Sequence, residues 1–306
     1  MNRKMQGLTL IEILTVVSVI AILIGLLLPA TSAVRRMAKE AKQKAQFTAI
    51  GLALETFKND YGQYPASNPS PLPPNIAYYG GAQKLAEALL GLDLLGYNPA
   101  SNLSLNETNG STVQHTSLYT AATLDQRQGL YIDLDKANAY EVGQGRDSGG
   151  VNHFGLYADY QPLTPGAHVL CDVYSRQDIV LQDGQKRKVG APILYYRADP
   201  SKKTIRLDGS KSTSDLIYDF EDNRVLIDIR VGDSPEVNVT SEYRPFHSGN
   251  LTYLEAFYGS DTRIGYIQDP TVTARAWPYN PDTYILISAG QDGIYGTKDD
   301  IRNFGN

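Results

Sequence analysis

Two hydrophobic patterns follow one another along the first sixty residues. From Leu8 to Leu28 nearly every side chain is apolar, and only Thr9, Glu12, Thr15, Ser18 and Gly25 interrupt the run. At about 1.5 Å of rise per residue, a helix from Leu8 to Pro29 nearly crosses the roughly 30 Å of a bilayer's hydrocarbon. From Ala30 the pattern becomes amphipathic. Val34, Ala38, Ala41, Ala45, Ala49 and Leu52 recur at spacings of three and four, and Phe47, Ile50, Leu54, Phe57 and Tyr61 make a second apolar edge. One edge suits the chain's own sheet and the other a neighbour, because small alanines let another backbone approach closely. Arg35, Arg36, Lys39, Glu40, Lys42 and Lys44 lie between, suited either to anionic headgroups or to a solvated face. Asn59-Asp60-Tyr61-Gly62 supplies stop signals, and Pro65 closes them.

Beyond the helix the pattern is weaker. Ala82 to Leu95 predicts a short helix with Leu85, Ala88, Leu89 and Leu92 on one face. Pro192 to Ala198, Leu216 to Phe220, Val225 to Ile229 and Asp282 to Gly290 read as strands, with Glu221-Asp222-Asn223 as the turn between the middle two. The Pro-rich stretch from Pro65 to Pro74 reads as a surface linker, and Ser101 to Thr116 as a polar loop. The central region, about 100–280, carries no motif of its own.

Composition narrows the function classes. A net charge of −5 argues against a general nucleic-acid binder. The single cysteine, Cys171, excludes an internal disulfide and reads as a small buried hydrophobe. His115, His153, His168 and His247 form no His-Glu-x-x-His motif, and neither Gly-x-Ser-x-Gly nor a P-loop occurs. Gly143-x-Gly145-x-x-Ser148 lacks the closing glycine of a dinucleotide loop. Asp133/Asp135 and Asp219/Glu221/Asp222 pair carboxylates as hydrolases do, but acidic residues on strands and turns are usually solvated. No catalytic residue is assigned, and the chain reads as a non-enzyme.

Glu12 is the costly residue. An acid at the centre of a spanning helix costs about 2.5–3.5 kcal/mol on insertion scales, and less near the end. A secretory signal peptide places its small-residue cleavage site after the apolar run. Here Gly7 precedes it, and the helical pattern continues past Ala30 and Ala33. Arg3 and Lys4 put the leader in the cytoplasm and the rest of the chain outside it.

The segment Gly7-Leu8-Thr9-Leu10-Ile11-Glu12 resembles the processing signal of type IV pilins and type II secretion pseudopilins. Leu8 stands where that family usually has Phe. The resemblance implies cleavage by a prepilin peptidase after Gly7, methylation of the new amine of Leu8, and pairing of Glu12 with a neighbouring subunit's amine during assembly. Such a pair in a low-dielectric core attracts strongly while each charge alone is costly, so it would set axial register. Pro29 falls where many pilins carry a helix-kinking proline. Ala53 to Pro65 is similar to the helix exit of major, G-type pseudopilins, a family that continues with a loop and a small antiparallel sheet.

The C-terminus adds a second likeness. Ser288-Ala-Gly290-Gln-Asp292-Gly293 runs on to Asp299-Asp300-Ile301. This resembles the calcium loop of G-type pseudopilins, with Asp292 and Asp300 matching side-chain ligands, Ala289 a backbone ligand, and Asp299 adjoining them. The same residues also suit an acidic hairpin turn with glycine at positive φ.

The expected organisation is a leader, 1–7, an apolar assembly helix, 8–29, and its amphipathic continuation, 30–61. A globular domain, 62–306, follows, with the acidic loop at 288–301. The expected fold class is α+β, a long hydrophobic-then-amphipathic helix packed on an antiparallel β-sheet domain. The resemblance implies a filament subunit in the bacterial cytoplasmic membrane with its domain in the periplasm. Its partners would be copies of itself, other pseudopilins, the prepilin peptidase and an inner-membrane assembly platform. The alternatives are a surface type IV pilus subunit for adhesion or DNA uptake, and a membrane-anchored binding protein that never polymerises. Glu12 favours the filament body, whereas the bulk of the domain suits a tip or outer surface.

Overall fold

The computed structural model describes residues 9–69, 78–101, 103, 121–143, 154–157, 163, 166–205, 215–229, 245–246, 253–260 and 262–305, leaving aside the side chains at 26, 28–30 and 121–122. The fold is α+β. Helix α1 runs Leu10–Tyr61, 52 residues. It ends where the stop signals place it: Gly62 takes φ 76° and its N–H closes on the Lys58 carbonyl at 2.7 Å.

The chain divides into two compact units, Met1–Lys42 and Gln43–Asn306, and the division falls inside α1. In the first unit no described side chain of α1 is buried: Leu10, Ile13, Val17, Ile20, Leu23 and Val34 are all exposed. In the second unit the last turns of α1 are core. Phe47, Ile50, Leu54 and Phe57 are buried, while Leu52 on the other edge stays exposed. The 3.6-residue spacing thus assigns one edge to the chain's own domain.

The elements that follow are α2 (Gly81–Leu90), α3 (Ala121–Leu124), α4 (Leu134–Ala137), β1 (Ala139–Glu141), β2 (His168–Leu170), β3 (Gln177–Val180), β4 (Lys186–Val189), β5 (Leu194–Arg197), α5 (Arg224–Asp228), α6 (Tyr253–Tyr258), β6 (Tyr284–Ser288) and β7 (Ile301–Arg302). A three-stranded antiparallel sheet, β5-β6-β7, is central to the second unit, with Tyr195 opposite Leu286 and Ile287 opposite Arg302. Two-residue alternation divides its side chains between two cores. Ile193, Tyr195, Tyr284, Leu286 and Ile301 pack with the α1 edge and with Leu85 and Leu89 of α2. Leu194, Tyr196, Ile285 and Ile287 face the opposite cluster, with Phe220, Phe246, Phe257 and Tyr258. That is why β6 reads as an unbroken apolar run, since all five of its residues are buried. The β1–β2 pair extends from this sheet through a bridge between Cys171 and Pro192. Cys171 is free and buried, as expected of a small hydrophobe.

Several expectations are corrected. Val225 to Ile229 is not a strand. A 3₁₀ turn, Phe220–Asp222, leads into helix α5, and Leu216 makes only a bridge to Thr204. Side chains impose this: Asp219 Oδ1 accepts from Glu221 N at 3.0 Å, and Asn223 ties the turn to α2 and β5 by accepting from Ala82 N at 2.9 Å and donating to the Tyr195 carbonyl at 2.7 Å. Helix α2 stops at Leu90, before Leu95, because Gly91 turns out at φ 83°. Its apolar face is not its only buried face; Gln83, Lys84 and Glu87 are buried too. Gly81 allows this close seat, because a Cβ there would strike the Tyr195 carbonyl. The Pro-rich stretch also begins inside the domain: Tyr64 and Ser67 are buried, Tyr195 donates to the Pro65 carbonyl at 2.7 Å, and Ser67 Oγ accepts from Arg197 N at 2.9 Å. Residues 70–77 and most of 101–116, and Gly145 to Ser148, lie outside the described residues.

Two glutamines tie α1 to the residues that flank β1 and β2. Gln46 Nε2 donates to the carbonyls of Ala137 and Cys171, each at 3.0 Å, and Gln43 Oε1 accepts from Val173 N at 3.0 Å. Leaving a buried carbonyl unpaired costs about 1–3 kcal/mol. Replacing Gln46 with Leu preserves bulk but takes the side-chain donor from the Ala137 carbonyl, while the Cys171 carbonyl keeps Asn138 Nδ2 at 2.9 Å, so denaturant unfolding should show a loss of about 1–3 kcal/mol. A loss within about 0.5 kcal/mol would mean that these bonds do not hold the helix.

Candidate functional site

Gly7 and Leu8 lie outside the described residues, which begin at Thr9. Thr9 and Glu12 form a reciprocal cap. One Glu12 carboxylate oxygen accepts from Thr9 N and from Thr9 Oγ1, both at 2.7 Å, while Glu12 N donates back to Thr9 Oγ1 at 3.4 Å. Within a single chain the acid is therefore satisfied by its own first turn, and it is exposed. No helix among the described residues is long and apolar enough to cross a membrane. The described side chains run from Thr9 to Gly25 and resume at Leu27; Pro29 lies within the span of α1, but its side chain is outside the description.

The acidic loop is the other place where sequence-selected residues meet. It leaves β6 at Ser288, whose Oγ donates to buried Asp172 at 2.9 Å and accepts from Gly290 N at 3.3 Å. Asp172 also accepts from Tyr174 N at 3.0 Å and Ala191 N at 3.2 Å, so one carboxyl organises three segments at the mouth of the loop. Gly290 takes φ 62°, and a Cβ there would strike the Asp299 carbonyl, so the two arms touch. The Ala289 carbonyl accepts from Gly293 N at 3.2 Å.

Across this contact the three aspartates converge. Asp299 Oδ2 accepts from Asp292 N at 2.8 Å, and Asp299 Oδ1 from Thr297 Oγ1 at 2.5 Å. Asp300 Oδ2 accepts from Gly296 N at 2.7 Å and from the Tyr266 hydroxyl at 2.5 Å. Burial and the hydrogen bond to Asp299 push Asp292 up to about 6. Burial would also raise Asp299, but hydrogen bonds from Thr297 and Asp292 outweigh it and hold Asp299 below the usual range. Burial pushes Asp300 up to about 8, with the charges of Asp292 and Asp299 adding to it against the hydrogen bonds from Tyr266 and Gly296. The donors are oxygens only, the set a hard divalent cation selects. Still, among the described residues no group of three or more His, Cys, Asp or Glu side chains is arranged to hold a metal ion.

Sequence reasoning missed Thr297, Tyr266 and Asp172. Thr297 lies within the loop and was legible as an oxygen donor. Tyr266 and Asp172 come from distant segments, and no local spacing marks them. Asp222 was also misread: it is buried rather than solvated. Asp133, by contrast, is an exposed partner of Lys136 at 2.7 Å. His168 lies on β2, while His115, His153 and His247 fall outside the described residues. No protein-family model, curated protein or solved structure matches this chain.

Asp172 generates a pH prediction. Burial pushes it to about 7 from 3.8, against hydrogen bonds from Ser288, Tyr174 and Ala191. The folded state therefore favours the protonated form. Its stabilisation is complete below the unfolded value and is lost as pH rises through the folded one. With chelator present, the melting temperature should fall between pH 5 and pH 8, and Asp172→Asn should flatten that slope. A melting temperature that rises over this range in the parent protein would contradict the assignment.

Proposed function

We propose that the chain is a pseudopilin, a structural filament subunit of a type II secretion-like system. The observation that carries this reading is the division of labour along α1. One end is bare apolar helix headed by Glu12, and the other is built into a domain through Phe47, Ile50, Leu54 and Phe57. Exposed apolar surface on this scale marks contact with protein or lipid. A helix that leaves the membrane and packs on an antiparallel sheet is the architecture the resemblance implies.

The proposed sequence of events begins with cleavage between Gly7 and Leu8. Removing the leader creates an amine beside Thr9, whose cap now holds Glu12. On assembly the amine of one subunit meets Glu12 of another, and each charge relieves the other's desolvation. Alanines at 38, 41 and 45 allow the helices to approach closely. Growth of the filament pushes folded cargo outward, with the energy supplied by other components.

Calcium belongs to the same reading. Asp292, Asp299 and Asp300 side chains and the Ala289 carbonyl would hold it, with Thr297 beside them. Burial raises Asp300 and the charges of Asp292 and Asp299 add to it; a divalent charge would offset both. When bound, the ion supplies a positive charge that pins the two arms of the loop together.

Two experiments test these parts separately. N-terminal sequencing of the subunit from its host should begin at Leu8, and Glu12→Ala should leave insertion intact while abolishing filaments seen by electron microscopy. Normal filaments from that variant would defeat the register role. For the loop, calcium should raise the melting temperature of the parent protein and not that of Asp300→Asn. An unchanged melting temperature on addition of calcium or EDTA would remove calcium from the account.

A further inference from the structure

A cavity of about 390 Å³ opens where the exit of α1, the end of β5 and the segment before the 3₁₀ turn meet. It is separate from the acidic loop, and it does not depend on the filament reading. Its buried end is formed by Ser67 and Asp222, which are 4 % and 2 % exposed. One Asp222 oxygen accepts from Ser67 Oγ at 2.5 Å, and the other, Oδ1, has no hydrogen-bond partner among the described residues. A buried polar atom left without a partner costs free energy, and Asp222 is a lining residue of the cavity, so a ligand donor that reached Oδ1 would recover that cost. Asp219 stands beside it, its Oδ1 taken up by Glu221 N at 3.0 Å.

The mouth has the opposite sign. Arg197 and Lys202 are only partly buried there. Arg197 uses one guanidinium nitrogen on Gln63 Oε1 at 3.2 Å, which leaves other N–H groups of its five. Lys202 attracts Asp199 electrostatically but its ammonium makes no hydrogen bond among the described residues. Asp199 is itself occupied, accepting from Ser201 N at 3.0 Å and Ser201 Oγ at 2.6 Å.

Free cationic donors at the mouth and an unpaired acceptor at the buried end define a ligand with two poles. A simple anion would meet Asp219 and Asp222, and a simple cation would meet Arg197 and Lys202. The volume lies at the lower end of the range for small-molecule sites, about 300–1,000 Å³, so the ligand is small. We propose that this cavity binds a free α-amino acid as its zwitterion, with the carboxylate on Arg197 and Lys202 and the ammonium on Asp219 and Asp222. The ammonium brings three donors, enough for Asp222 Oδ1 and Asp219 together. A guanidinium and an ammonium on a carboxylate are the charge-assisted bonds that fix orientation most strongly.

The test is isothermal titration of the full chain, held in detergent, with each standard L-amino acid. The best binder is then repeated as its N-acetyl derivative and as its amide. At least one amino acid should give saturable heat, and blocking either end should weaken binding about tenfold or more, the worth of a lost charge-assisted bond. Arg197→Gln should weaken it similarly. If that variant does not fold, Lys202→Gln carries the same test from a side chain at the cavity mouth, with an unchanged melting temperature as its control. Absence of saturable heat from every amino acid would overturn the proposal, and so would blocked derivatives that bind as tightly as their parent.

Discussion

The seat of α1 against the sheet is the contact on which the second unit is organised. Phe47, Ile50 and Leu54 enter the core formed by β5, β6 and α2. Gln43 and Gln46 bind the residues that flank β1 and β2 at Ala137, Cys171 and Val173. Burying each apolar side chain contributes about 1.5–3 kcal/mol, and the two glutamines add direction that burial alone lacks. Without this edge, the face of the sheet carrying Tyr195 and Leu286 would lose much of its cover. Earlier in the same helix the described apolar side chains, such as Leu10, Val17 and Leu23, are exposed.

Carboxyl groups drawn out of solvent are the second organising device. Asp172, Asp222 and Asp300 are each pushed upward by burial, and each is bonded to a group from elsewhere in the chain. Asp172 joins Ser288 to Tyr174 and Ala191, Asp222 joins Ser67, and Asp300 joins Tyr266. A carboxyl offers two oxygens that each accept hydrogen bonds, which suits a junction between segments far apart in sequence. Tyr266 extends the last junction outward, packing edge-on against Phe246 at 4.9 Å between ring centroids. The acidic loop is thus supported by the same aromatic cluster that covers the far face of the sheet.

Much of the frame was legible. The edge Phe47-Ile50-Leu54-Phe57 shows in its spacing, the end of α1 in Asn59 to Gly62, and β5 and β6 in their apolar runs. The glycines at 293 and 296 marked the turn that brings Asp292 N onto Asp299 Oδ2. What was not legible depends on distant partners. Val225 to Ile229 looks like a strand locally, but Asn223 is held by Ala82 and Tyr195, and this starts a helix instead. Lys84 and Glu87 lie off the apolar face that Leu85, Ala88, Leu89 and Leu92 mark in the sequence; they are 4 % and 3 % exposed because Gly81 lets the helix press against β5. Tyr79 pairs with Glu87, and burial nonetheless keeps that carboxyl raised. No spacing within ten residues reveals such a seat.

The central claim is that the apolar half of α1 finds its cover in other copies of the same helix. Photo-crosslinking from a reactive side chain at position 17, in the host and without overexpression, tests this most directly. The account predicts a ladder of covalent multimers that disappears when the leader is left uncut. Crosslinks to lipid alone, with every subunit recovered as a monomer, would contradict it.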